Sequence, residues 1–303
     1  MQLVLASPKA ISPGSQQLRS PLMGIAGTVL GAVRTLVKSV SPALYGAVSY
    51  RRNEGREHRI AATLIRRYGD RVQSGPFKGM HLTTRSVSAG WSPKLLGCYE
   101  EEVQPLLERV LYREYDQIVN IGAAEGYYAV GLALRIPDAE VWAFDSQPRA
   151  QETCSELAYL NGVANRLRVH GHCTAEALRA ILAERALVVC DCEGAELDLL
   201  DPGLVPALVD CDMLVETHEF LRPGVSAVVG SRFARTHSIA WVQSCPRDPS
   251  RYGALRLLRA KDRVLAVDEH RPAAQSWALL LSMAWLEPEP TRQVGRAGLG
   301  DSR

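Results

Sequence analysis

The chain has 303 residues, 47% of them hydrophobic and 22% charged, and a formal charge of +2. That length suits one sizeable core, or one main domain with a smaller attached layer, and the near-balanced charge excludes nucleic-acid binding through a broad basic field. Seven dispersed cysteines include no C-x-x-C pair to start a zinc or redox site; with an odd count and no clear signal peptide, they favour reduced thiols in a cytoplasmic protein.

Residues 1 to about 20 are polar and rich in turn formers, and read as a docked or flexible lead. The apolar stretch "PLMGIAGTVLGAVRTLVKSVSPALYGAV", residues 21–48, is interrupted by Arg34 and Lys38 before a spanning length accumulates. It predicts an amphipathic helix or cap, with peripheral membrane contact as the alternative. Helical spacing runs from Thr28 to Arg67 with a break at "SVSP", and "REHRIAATLIRRYG" ends at a glycine, an ordinary helix stop. Its arginines are expected to face water rather than to form an anion site.

"GPFKGM" and "SAGWSPKLLGCYE" interrupt regular structure, and "EEEVQPLLERVLYREY" predicts a helix whose first turn or kink is marked by Pro105. From Gln117 the pattern alternates. Strands are predicted at 117–121, 140–144, 166–170, 187–190 and 212–216, and helices at about 126–136, 148–161, 174–184 and 195–207. Apolar strands separated by helices imply parallel crossover units, hence a doubly wound α/β sheet. "HSIAWVQSC" and "RVLAVDE" are expected to supply the last two of seven strands, and "SWALLLSMAWL" a short buried segment. The predicted organisation is an N-terminal helical and loop extension over 1–116, an α/β domain over 117–285 and a tail over 286–303.

"VNIGAAEGYYAV" carries Gly122 directly after the first strand and Gly126 at the mouth of the next helix. Glycine there opens backbone angles closed to other residues, and the free N–H groups of the helix can receive polar ligand atoms. The stretch departs from the dinucleotide pattern G-x-G-x-x-G, since Ala124 stands at the central glycine and Tyr127 at the last. Asp145, in "VWAFDSQP", ends the second strand, which lies beside that turn in a parallel sheet. Its two oxygens suit the paired hydroxyls of a ribose. Nucleoside binding follows from glycine turn and acid together.

With "VNIGAAEGYYAV", "AFDSQP", "LAYLNGV", "CDCEGAELDLL" and "LVETHEF" in that order, the chain resembles the class I S-adenosylmethionine-dependent methyltransferases, and among them the FkbM-like O-methyltransferases. The resemblance covers about residues 117 to 220. It implies a Rossmann-like methyltransferase fold with an N-terminal helical cap. It makes Asn120, Gly122, Ala124 and Gly126 the wall around the methionine part of the cofactor, Asp145 the ribose acid, and Ser146 and Gln147 the flank of the adenosine. His172 and Cys173 would lie by the adenine edge. "FDSQP" departs from the family in carrying Ser146 where a proline is usual, and Asn120 stands where many relatives have an acid. Asn161 has either a capping role or a role in supporting the pocket.

Asp191, ending the fourth strand, and Glu193 fall near the methyl group that would be transferred. Glu196 is read as a helix support. Glu216 and His218 have the two-residue spacing that puts both on one side of a strand. A neutral histidine can take the proton that a hydroxyl loses during methyl transfer, with a carboxylate fixing its tautomer. Alternatively Asp191, Glu216 and His218 hold a divalent cation such as magnesium. Phe77, Lys78, Trp91, Tyr99 and Glu100 either recognise the acceptor or pack the adjoining helix; Arg271 is expected in an internal salt bridge and Trp277 in the core. The reading is an O-methyltransferase of a small hydroxylated molecule such as a sugar or glycoside, the chain itself being either single or homo-oligomeric. An N-methyltransferase, an NAD-linked oxidoreductase and a non-catalytic cofactor-binding regulator remain as alternatives.

Overall fold

Every residue of "QIVNI", Gln117–Ile121, is buried, and this strand, β1, lies in the interior of the sheet. The structure, a computed structural model, describes residues 42–83, 90–271 and 273–285, with side chains from residue 55 onward. The predicted features at 1–41, including most of the apolar stretch 21–48, and the tail at 286–303 lie outside the described residues.

The other strands are β2 (Glu140–Phe144), β3 (Leu167–His170), β4 (Ala186–Cys190), β5 (Asp212–Thr217), β6 (His237–Gln243) and β7 (Ser276–Ser282). They form one sheet in the order β3-β2-β1-β4-β5-β7-β6. Neighbours among the first five strands pair in parallel, while β7 runs antiparallel between β5 and β6. This is the sheet of a Rossmann-like methyltransferase fold. Register places Ile121 level with Phe144 of β2 and Cys190 of β4, so the residues after all three strands emerge at one rim.

Helices α1 (Pro42–Tyr68), α2 (Trp91–Leu96) and α3 (Gln104–Leu111) precede the sheet; α4 (Tyr127–Arg135), α5 (Pro148–Leu160), α6 (Ala175–Ile181), α7 (Glu196–Leu199), α8 (Val225–Phe233) and α9 (Ala260–Ala266) follow. Alternating side chains divide the core into two clusters, one on each face. Ile118, Leu187, Leu214 and Trp277 join the cluster that also holds residues of α1, α3 and α4. Val119, Val188, Val215 and Ala278 join the one that holds residues of α6 and α8. Burial on both sides explains why these strands read as continuous apolar runs. Among the described residues no helix is long and apolar enough to cross a membrane.

The extension is packed into the same core. Phe77 meets the rings of Tyr127 and Tyr128 edge-on at 5.2 and 5.9 Å. Gly131 of α4 leaves it room, since a Cβ there would lie 2.6 Å from the Phe77 ring. Phe77 therefore packs a helix, as one of its two predicted roles had it, and Lys78 is exposed.

Two predicted elements differ. "RVLAVDE" forms part of α9 and its exit rather than a strand. Leu265 and Ala266 are both buried while Val264 is 60% exposed, an arrangement that strand alternation cannot give. The seventh strand is "SWALLLS", whose Trp277 to Leu280 are buried on both faces. The helix predicted at 195–207 stops at Leu199, followed by a 3-10 turn at Pro206–Asp210. Pro202 and Gly203 end it, one lacking the N–H and the other the conformational restraint that a helix needs.

Asn161 settles in the capping role. It follows α5, and its Nδ2 donates to Leu157 O (2.9 Å) and His81 O (3.0 Å) while its Oδ1 accepts from His81 N–H (2.8 Å). The two bonds to His81 thus pin the extension to the helix end, and the third holds the amide on the helix. Asn161→Ala is expected to cost about 1–3 kcal/mol, seen as a lower urea midpoint.

Candidate active site

Gly122 has φ 76°, and a Cβ there would fall 1.5 Å from the carbonyl oxygen of Asp191. The glycine is required because the chain leaving β4 crosses directly over the turn. Ala124 also adopts a left-handed conformation, φ 47°. Its N–H donates to Asp145 Oδ2 (2.8 Å), while Asp145 Oδ1 accepts from Gln147 N–H (2.8 Å). The acid is therefore fixed to the glycine turn with one oxygen on each side and lone pairs to spare. Gly126 serves packing: its φ is 94°, and a Cβ would meet Cys154 Sγ of α5 at 2.7 Å.

Above this rim lies a cavity of about 580 Å³. Gly122, Ala124, Asp145, Ser146, His172, Cys173, Asp191 and Glu216 line it. Asn120, Gly126 and His218 do not. Asn120 is buried within β1, its Nδ2 3.4 Å from Val189 O and its Oδ1 without a partner. Of the four residues expected to wall the methionine part of a cofactor, Gly122 and Ala124 thus line the cavity, while Asn120 and Gly126 do not.

At the far end, carboxylates crowd together. Glu100 and Glu216 are 1% and 3% exposed, and Arg271 binds both, NH2 to Glu100 Oε1 (2.8 Å) and NH1 to Glu216 Oε1 (2.6 Å). Its Nε donates to Glu269 Oε2 (2.8 Å), and Tyr128 OH donates to Glu100 Oε2. Arg271 thus holds the internal bridges expected of it. Burial, reinforced by Glu100, pushes Asp191 up to about 8. Burial likewise pushes Glu100 up to about 8 against the pull of Arg271. Glu216 is held well above the usual carboxylate range by burial and by Asp191. Crowded carboxylates with few counter-charges keep protons that isolated ones would lose.

His218 is completely buried behind these acids. Its Nδ1 lies 2.6 Å from Glu196 Oε1, and its Nε2 lies 3.5 Å from Asp191 and 3.6 Å from Glu216. Burial draws its pKa down, but the Glu196 bond and the charges of Glu216 and Glu193 outweigh that and leave it raised. Glu196 is lowered, because its bond to His218 overcomes its own burial. Each member of the pair thus favours the ionised form of the other. His218 does not line the cavity itself, but three acids that face its Nε2 do: Asp191, Glu216 and Glu193, the last at 3.5 Å.

Two groups of potential ligand atoms lie within 4.8 Å of one another: Glu100, Asp191 and Glu216, and Asp191, Glu193 and His218. The predicted cation trio straddles both. Sequence reasoning missed Lys94 and Glu125, a buried ion pair in the cavity wall, and it treated Glu196 only as a helix support. A lysine in a six-residue helix gives no local sign of facing a cavity.

No protein-family model matches the chain, and no curated protein matches it. Solved structures are similar in fold. The O-methyltransferase TomG of Streptomyces achromogenes, involved in tomaymycin synthesis and solved in complex with SAM, is 14% identical, over 62% of this chain and 83% of that one, with a TM-score of 0.40. Precorrin-6y C5,15-methyltransferase of Geobacter metallireducens is 11% identical, over 58% of this chain and 87% of that one, with a TM-score of 0.39. Likenesses this distant say nothing of cofactor or acceptor.

The His218–Glu196 pair has a definite pH signature. The raised pKa of His218 contributes stability present at low pH and lost as pH rises through its folded value above 6.5; the lowered one of Glu196 contributes stability lost as pH falls through its folded value below 4.5. Between those limits the pair is intact. Glu196→Gln is expected to drop the His218 pKa, read by NMR titration of the imidazole, because burial then acts with less opposition.

Proposed function

We propose that this chain is an S-adenosylmethionine-dependent O-methyltransferase of an uncharged, hydroxylated small molecule, a sugar or glycoside, of the FkbM-like kind. The observation that carries the reading is continuity: one cavity joins Asp145, fixed to the glycine turn, to the carboxylate group around Asp191. It opens beside β1 and β4, where the strand order reverses, the place at which open α/β sheets bind ligands. Its volume of about 580 Å³ suits a cofactor and part of an acceptor.

The residues present fit the cofactor. Asp145 retains acceptor capacity for ribose hydroxyls, and Phe144, Ala150, Cys173 and Leu199 give apolar walls for a base. The carboxylate-rich lining suits a ligand with a positive sulfonium. It opposes a pyrophosphate, which disfavours the NAD-linked alternative. When bound, the cofactor supplies an electrophilic methyl group.

The chain's own work is positioning and proton removal. Glu100, Glu216 and Arg271 offer acceptors and donors to hydroxyl groups of a polyol, and the rings of Tyr99, Tyr127 and Tyr128 line the same cavity. Asp191 lines the cavity where His218 does not, so Asp191 takes the hydroxyl proton. Asp191 accepts that proton in its ionised form, so with burial pushing it up to about 8, transfer is expected to increase as pH rises through that value. His218, bound to Glu196, fixes Asp191 and Glu216 from behind and balances their charge. The same acidic lining also favours an amine acceptor, which makes N-methylation the second reading.

A labelled-methyl screen over glycosides, phenols and amines, with and without chelator, tests these readings together. Transfer to a glycoside hydroxyl, insensitive to chelator, is expected; transfer restricted to amines selects the second reading, and loss of activity restored by magnesium assigns the acids to a cation. In calorimetry Asp145→Ala should weaken S-adenosylmethionine binding roughly tenfold or more, the loss of charged hydrogen bonds, with unchanged affinity removing the ribose role. Asp191→Asn should bind cofactor normally and lose methyl transfer by about 100-fold or more.

A further inference from the structure

Cys190 ends β4, and Cys192 follows it across Asp191. An extended strand holds alternate residues about 6.6 Å apart, yet the two sulfurs stand 3.5 Å from each other. The chain turns here. Glu193 and Gly194 have φ 53° and 102°, and Gly122 leaves room for the turn, since a Cβ on it would meet Cys192 N at 3.3 Å.

The surroundings of the two thiols differ. Cys190 is fully buried and tied into the sheet, level with Ile121 of β1 and Val215 of β5. Cys192 is half-buried and lines the cavity. The contact with Cys192, reinforced by burial, holds the Cys190 thiol well above its ordinary value. A solute entering the cavity therefore meets Cys192 first, with a protonated thiol directly behind it.

We propose that Cys190 and Cys192 are a peroxide-sensitive modification site, closing to a disulfide that carries Asp191 out of its working position. The Cys192 sulfur attacks a peroxide; the O–O bond breaks, one oxygen leaves as water and the other stays on sulfur as a sulfenic acid. The Cys190 sulfur then attacks that sulfenic sulfur, the S–O bond breaks, and the hydroxide takes the Cys190 proton and leaves as a second water. The two thiols have lost two electrons, and hydrogen peroxide has gained them. A sulfur–sulfur bond is about 2.0 Å long, so the two atoms must approach by about 1.5 Å. Cys190 is anchored by parallel neighbours on both sides, so Cys192 makes the movement, and Asp191 lies between them. A displacement of this size at a reacting group costs about 100-fold in rate. The bond faces the cavity, where a dithiol can reach and reduce it, so the change is reversible. The loss of transfer rests on the methyl-donor reading above; the disulfide does not.

The test adds hydrogen peroxide to the reduced full-length chain and then alkylates free thiols. Cleavage after Glu184 and Glu193 releases residues 185–193, which hold both cysteines and no other. That peptide is expected to escape alkylation and to weigh two hydrogen atoms less than its thiol form. Methyl transfer is expected to fall about 100-fold and to return with dithiothreitol. The imidazole resonance of His218, whose Nε2 lies 3.5 Å from Asp191, should shift and return in step. Cys190→Ala should keep its activity before peroxide and form no bond within this peptide. If that variant does not fold, Cys192→Ser should leave Cys190 a free thiol under the same treatment, and oxidation of Cys190 in it overturns the proposal. So does an alkylated pair in the native chain, a bond from Cys192 to Cys173, or a sulfinic acid at Cys192 beside a free Cys190. A disulfide that moves neither activity nor the His218 resonance overturns it as well. Absence of methyl transfer in both states sinks the methyl-donor reading alone, and the peptide mass and the imidazole still decide the site.

Discussion

Like charges held together out of water are the constraint around which the rim is organised. Glu100, Glu216 and Glu269 all bond to Arg271, and Asp191 and Glu216 face the imidazole of His218. These residues come from the extension, from β5, from the chain leaving β4 and from the approach to β7. Without the arginine the carboxylates would repel one another and drive those segments apart. The same guanidinium that permits the acids to be neighbours therefore fixes the extension over the sheet. Arg247 repeats the device at one remove, reaching Glu269 at 2.7 Å and Glu102 at 2.5 Å.

Backbone conformation marks the same place independently. Among the described residues, the non-glycine residues with left-handed φ are Glu100, Ala124, Glu193 and His270, and every one of them lines the cavity. Each such conformation costs about 1–3 kcal/mol and persists only where its surroundings impose it. Four of them around one opening say that the rim is shaped by what it must hold. The cores on either face, with their apolar strands and ordinary turns, carry the stability that this shape consumes.

How far the sequence could be read follows from the range of the interactions concerned. The five parallel strands and their crossovers were legible because an apolar run covered on both faces is a local signal. Asp145 was legible because parallel pairing of β1 and β2 carries a fixed spacing from Gly122 into neighbourhood. The strand and helix around residue 265 were confused because four apolar residues in a row suit either element when the pattern of burial is unknown. Lys94 and Glu125 are 31 residues apart, and Arg271 and Glu100 are 171 apart; no periodicity links either pair. His218 was identified by residue type and strand position, but its complete burial depends on α7, which brings Glu196 across it.

The direction of β7 has an effect on what the molecule can become. An antiparallel strand starts at the edge where its parallel neighbours finish, so the residues leading into β7 must pass across the opening. Glu269, His270, Arg271 and Gln275 are such residues, and all of them line the cavity. The same residues carry the Arg271 bridges to Glu100 and Glu216. Lining and scaffold therefore meet in one segment, and a change of guest there is also a change in what holds the extension to the sheet.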